Sequence, residues 1–150
     1  MAQGGTAPAK AGCGILRTAN EFELAYVIFR VIFGMDIFMH GAIRLMTGLA
    51  AWENPQAAVF ETTPLPMWIV HGFLYPLPFF EVAIGLMTLF GFYTMLSYLL
   101  GAAMMVIIVF GNTVRQDWTT VGNNLHYVLY YCLLIAAIRY NTCALDGRRR

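Results

Sequence analysis

Charge is what this chain has least of. Only 11% of its 150 residues are charged and 59% are hydrophobic, whereas roughly a quarter of an average soluble domain is charged. The deficit points to lipid rather than water as the solvent. A formal net charge of +1 leaves no basic field, so nucleic acid is not an expected partner. Cysteine is sparse as well. Cys13, Cys132 and Cys143 form no CxxC pair and no disulfide framework. Cys132 lies in an apolar run and reads as a small buried hydrophobe. Met1–Arg17 has no apolar stretch before a cleavage site, so no secretory leader is expected. Alternating strands are missing too, which argues against a membrane barrel.

The chain does have four long apolar runs, at about 22–49, 67–90, 93–110 and 121–140. Each is close to the roughly 20 residues that span a bilayer as a helix. Asn20 with Glu23 three residues later forms a capping box that starts the first. Ala50–Pro66 connects the first two runs, with a short interfacial helix expected over Ala57–Phe60. Gly91–Thr94 reads as a tight turn and Asn112–Thr120 as a loop. The expected fold is all-α, an integral membrane four-helix bundle over residues 21–141. A flexible tail, 1–20, precedes it and a basic tail, 142–150, follows. Lys10, Arg17, Arg139 and Arg148–Arg150 gather at one end, so both termini are expected in the cytoplasm. Trp52, Trp68 and Trp118 then mark the outer boundary.

The first run carries Arg30, Asp36, His40 and Arg44. Ionisable groups at membrane depth are costly and need partners or a wet cavity. At about 1.5 Å per residue, Arg30 lies some 12 Å from the inner end of its helix and Glu81 some 15 Å. A buried Arg30–Glu81 pair follows, mainly structural, with proton chemistry as the alternative. His40, His71 and His126 all fall within one or two turns of the outer boundary. Asp36 and Arg44 flank His40 at four-residue spacing, and a carboxylate one turn away can orient an imidazole. Tyr127, with Asn124 and Tyr131 on its face, stands beside His126. These residues suit a quinone, with histidines on its carbonyls and Arg44 and aromatics around the ring. Haem or a metal such as Zn or Cu is the alternative, although no HxxxH or CxxCH spacing supports it. Local satisfaction of polar groups is the bland reading of the same histidines. Gly34, Gly41 and Gly48 form a seven-residue stripe for close helix approach, as do Ser97 and Gly101. Pro76 and Pro78 are expected to kink the second helix.

The segment Arg30-Val-Ile-Phe-Gly34-Met-Asp-Ile-Phe38-Met-His-Gly41-Ala-Ile-Arg44-Leu45 resembles the first-helix signature of DoxX-like membrane proteins. Glu81 with Gly85, then Gly91 before a turn, is similar to that family's second helix. Ala144-Leu145-Asp146 resembles its closing motif. The likeness covers about Phe22 to Asp146. It implies a four-helix membrane bundle with a redox association, since the DoxD relative belongs to a thiosulfate:quinone oxidoreductase. Arg30, Glu81 and Arg44 match the family pattern; Asp36, His71 and His126 do not. The resulting expectation is an inner-membrane subunit of a quinone-linked oxidoreductase, in a bacterium or archaeon. Glu81, Arg30 and Asp36 would take part in its proton chemistry. His40, Arg44, His71, His126 and Tyr127 would bind the quinone. Its partners would be the bilayer, other protein subunits and a quinone or sulfur compound. A non-catalytic assembly subunit of a larger complex is the alternative, and a small-molecule carrier is a third.

Overall fold

The computed structural model describes residues 20–146. These form helices α1 (Glu21–Thr47), α2 (Leu49–Ala58), α3 (Met67–Leu74), α4 (Leu77–Phe90), α5 (Thr94–Val114) and α6 (Trp118–Ala136). A 3-10 turn at Ile138–Tyr140 follows, and no strand occurs among the described residues. The expected tail before Asn20 and the terminal arginines lie outside the described residues.

Local chemistry sets the boundaries. Asn20 caps α1 by accepting from the Phe22 N–H at 3.5 Å, and Glu21 and Glu23 add negative charge at the positive end of the helix. Gly48, at φ 99°, ends α1. The proline pair produces a break rather than a bend. Tyr75 and Pro76 separate α3 from α4, and Pro78 occupies the first turn of α4, where its missing N–H costs nothing. The expected short helix at Ala57–Phe60 is instead the ten-residue α2, which starts eight residues earlier and contains Pro55.

Two helical stretches are long and apolar enough to cross a membrane: Met67–Phe90 taken through the proline break, and Thr94–Val114. Helix α1, at 27 residues, and α6, at 19, also have the length. All of them leave large apolar side chains exposed. Examples are Ile32 and Met46 on α1, Phe79 and Phe90 on α4, Leu99 and Val106 on α5, and Leu125 and Leu129 on α6. The interior is correspondingly polar in places. Arg30, Glu81, Thr88, Ser97 and Tyr98 are buried, and Thr88 donates to Ser97 across the α4–α5 contact at 3.2 Å.

Glycine sets the tightest contact, between α1 and α4. A Cβ on Gly34 would lie 2.5 Å from the Leu89 backbone nitrogen, and one on Gly41 2.5 Å from the Pro78 carbonyl oxygen. Gly85 returns the contact against the backbone of Phe38. Gly48, the third member of the expected stripe, serves as the helix end instead. Around the ring, α4 packs on α5 and α5 on α6. Helices α1 and α6 are held apart by aromatic rings, Phe33 meeting Tyr131 at 4.8 Å and Phe29 meeting Tyr130 at 5.5 Å.

The α1–α4 register overturns the expected Arg30–Glu81 pair. Gly34 faces Leu89, Phe38 faces Gly85, and Gly41 faces Glu81 and Val82. Glu81 is therefore level with Gly41, eleven residues or about 16 Å along α1 from Arg30. Its partner is Arg44, one turn beyond Gly41. Arg30 sits instead beneath the α4–α5 turn and donates to the Cys143 carbonyl oxygen at 2.8 Å. Counting depth from the ends of the apolar runs assumed that both helices begin at one level, but α1 starts below that turn.

The start of the expected C-terminal tail is part of the fold. The backbone N–H groups of Leu145 and Asp146 donate to the carbonyls of Phe90 and Gly91. The Asp146 carboxylate caps α5, accepting from the N–H groups of Tyr93 and Thr94 at 3.0 and 2.7 Å. Gly91 makes this closure by adopting φ 65°, and its missing side chain leaves room for Arg30 and Ala144. Gly91→Ala should cost at least the ~1–2 kcal/mol of a left-handed non-glycine residue. Thermal unfolding in detergent checks this; an unchanged midpoint would mean that the turn relaxes freely.

Candidate functional site

The polar side chains at the α2 end of the bundle divide between a cavity and a seam. The cavity, about 340 Å³, lies where α3 and α5 diverge. That volume falls within the usual range for small-molecule sites. Its roof comes from Trp52 and Gln56 of α2 and Phe60 of the following loop. Its walls include Ile69, Phe73, Leu77, Ile107 and Ile108. Polar groups gather at one side: Arg44 from α1, Asn112 from α5, Arg115 and Asp117 from the α5–α6 loop, and Thr120 and Asn124 from α6.

Each cation there has a carboxylate and an aromatic face. Arg44 pairs with buried Glu81 and lies 4.6 Å from the Trp52 ring centroid. Arg115 donates to Asn112 Oδ1 at 3.1 Å and Asp117 Oδ2 at 3.3 Å, and stands 5.2 Å over Phe60. Such stacking is favourable for a guanidinium and ties the roof to the bundle. Asp117 also caps α6. It accepts from the Thr120 hydroxyl and backbone N–H, which together hold its carboxyl below the ordinary range, with Arg115 adding to the effect. Two donors remain for a ligand. The Asn124 side-chain nitrogen is buried without a hydrogen-bond partner, and Arg44 has only one nitrogen engaged with Glu81. Both spare groups are donors, so the cavity favours a guest with acceptor oxygens.

The histidines do not form the expected cluster. All three lie toward the α2 end, but none lines the cavity. His71 turns to α2 and bonds Glu53, which is only 6% exposed. His40 stays on its own helix, with Nδ1 2.9 Å from the Asp36 carbonyl oxygen. A carbonyl oxygen only accepts, so Nδ1 carries the proton. The Asp36 carboxylate is 3.7 Å from that nitrogen and accepts from the Tyr127 hydroxyl at 3.0 Å. Thus Asp36 orients Tyr127, while its backbone orients His40. His126 is exposed on α6. No three His, Cys, Asp or Glu side chains gather as a metal site among the described residues.

The structure therefore brings together Asp36, His40 and Tyr127 at an α1–α6 seam, and Arg44 with Glu81 beside the cavity. Arg30 and His71 stand apart from both. Tyr127, Tyr131 and Asn124 do not share one pocket either. Tyr131 is fully buried, its ring against Gly101, and its hydroxyl lacks a partner. Cys132 is exposed rather than buried. Asn124, expected in a polar pocket, does line the cavity, whereas Asn112 and Arg115 were missed as cavity residues because they lie at or beside a loop. Their signal was a run of amide and charged groups next to an aromatic-rich connection. Comparison with protein-family models, curated proteins and solved structures finds no significant match.

Proposed function

We propose that this chain is an integral membrane four-helix bundle with both termini cytoplasmic, and that it serves as the membrane subunit of a quinone-linked oxidoreductase. Its fourth span would be α6, and α3–α4 would cross as one broken helix. The exposed apolar surface on α1, α4, α5 and α6 supports the bilayer reading. Soluble monomers rarely expose contiguous apolar patches of that extent. Trp52, Trp68 and Trp118 all lie at the α2 end, as an interfacial aromatic belt does. This end faces outward by the distribution of basic residues.

The observation that carries the quinone reading is the cavity between α3 and α5. Trp52, Phe60 and Phe73 offer faces for a planar ring. Arg44 and Asn124 offer donors for its carbonyl oxygens. Ile69, Ile107 and Phe110 lead from the ring site to the apolar surface, where an isoprenoid tail would meet lipid. The donors are thus arginine and asparagine rather than the histidines expected from the sequence. Glu81, buried beside Arg44, is a carboxylate that would pass a proton to the quinone as it is reduced. The electron donor would sit on another subunit.

Titration of the purified protein with a short-chain benzoquinone tests this. Trp52 lines the site, so bound quinone should quench its fluorescence saturably in a variant retaining it as the sole tryptophan (Trp68→Phe/Trp118→Phe). Adding Ile108→Trp would confuse the signal, so the blocking substitution is Ile108→Phe. It should weaken binding by tenfold or more. Quenching that does not saturate, or that is untouched by the block, would exclude this cavity as the quinone site.

A further inference from the structure

The α1–α6 seam carries ionisable groups on the outside of the bundle. The Asp36 and His40 side chains are 45% and 44% exposed. His126 is exposed, and no hydrogen bond, ion pair or ring contact engages it among the described residues. It lies one turn before Tyr130, so the two share a face of α6. Tyr130 packs edge-on against Phe29 and Phe33 of α1, at 5.5 and 5.8 Å. His126 therefore stands on the α1 side of α6. The neighbouring Tyr127 donates to Asp36 at 3.0 Å and its ring centroid lies 6.1 Å from that of His40, so His126 stands at the level of Asp36 and His40. The surrounding surface is apolar: Ile32, Met39 and Ile43 on α1, Leu129 and Leu133 on α6.

This inference rests on the membrane reading above, but not on the quinone. An imidazole N–H facing hydrocarbon lacks an acceptor, and intramembrane ionisable groups normally face protein or water. Something therefore covers this face. The covering group must offer an acceptor at the same depth. Among the described residues, Glu53 and Glu81 are buried, and the remaining carboxylates apart from Asp36 lie at helix ends or in connections. Asp36 is the exposed carboxylate at membrane depth. It lies on the same face as His126, displaced across the seam, which makes that face self-complementary.

We propose that the α1–α6 face joins two copies of this chain about a two-fold axis parallel to the bundle. His126 of each copy then meets Asp36 of the other, as an isologous contact requires. Asp36 keeps its bond from Tyr127 and gains the imidazole on its second oxygen. The exposed leucines and isoleucines around the two pairs pack against their counterparts. The cavity, on the α3–α5 flank, stays open to lipid in such a dimer.

Subunit counting in dilute liposomes, by single-molecule photobleaching of the labelled full chain, tests this. The wild type should count as two. His126→Leu, a surface change that leaves the fold intact by circular dichroism, should raise the dissociation constant by tenfold or more. Asp36→His alone should do the same by opposing two imidazoles. Asp36→His with His126→Asp restores both pairs and should recover the dimer. A monomeric wild type, an undiminished His126→Leu dimer, or a folded swap without recovery would overturn the proposal. So would a monomer whose seam is occupied by a different protein. A prior alkaline carbonate wash separates the two readings. Release from membranes would overturn the membrane reading and the dimer with it, whereas retention with a count of one overturns the dimer alone.

Discussion

Arg44→Leu should destabilise the protein by about 3–5 kcal/mol, the usual cost of stranding one partner of a buried ion pair. Glu81 is 4% exposed, and its second carboxylate oxygen has no partner, so Arg44 supplies its one side-chain hydrogen bond. Without that guanidinium, Glu81 must be protonated, or α4 must shift to admit water. The double variant Arg44→Met/Glu81→Leu removes both charges and should recover most of the loss. Apolar replacements of a buried pair are often neutral or better. Equilibrium unfolding in mixed micelles measures all three proteins. If the double variant is as unstable as the single, Arg44 acts through its stacking on Trp52 rather than through Glu81. Arg30→Leu combined with Glu81→Leu should show simple additivity, because those side chains are separated by about three helical turns and distant sites do not couple.

That contrast shows how far the sequence is legible. Composition and run length are enough to read an all-helical chain. Cap and turn residues locate Asn20, the Pro76 break and the Gly91 turn to within a residue or two. These features depend on local chemistry, which the sequence carries directly. Partner identity depends on register between helices, and register is a tertiary quantity. Arg30 and Glu81 have opposite charges and similar distances from the ends of their apolar runs. Only the contacts of Gly34, Gly41 and Gly85 show that α1 begins below the α4–α5 turn. The histidines fail for a related reason. Depth along a helix can be counted, but the direction of a side chain around it depends on packing. His71 turns to Glu53 of α2, while His40 and His126 stand at the α1–α6 seam, and none of the three lines the cavity. The connection was expected to hold a short helix, but Pro55 and the polar residues around it hid how early α2 begins, and with it the roof of the cavity.

Gly85→Val should be the most damaging small substitution in the bundle. Its Cβ would fall on the backbone nitrogen and Cα of Phe38. A flexible side chain could move aside, but helical backbone cannot, so α1 and α4 must separate. Overpacking ordinarily costs about 1–3 kcal/mol, and a backbone obstacle puts this change at or above the top of that range. The separation also pulls on the Arg44–Glu81 pair, which joins the same two helices one turn away. Gly72 in α3 and Gly122 in α6 provide the controls, since a Cβ at either would meet nothing within 4 Å. Alanine there should stabilise by up to ~1 kcal/mol through helix propensity alone. Melting temperatures of the three variants in one detergent decide the matter. Gly85→Val should fall well below the wild type while Gly72→Ala and Gly122→Ala match or exceed it. If all three moved alike, no contact specific to Gly85 would be at work, and the register that assigns Glu81 to Arg44 would lose its support.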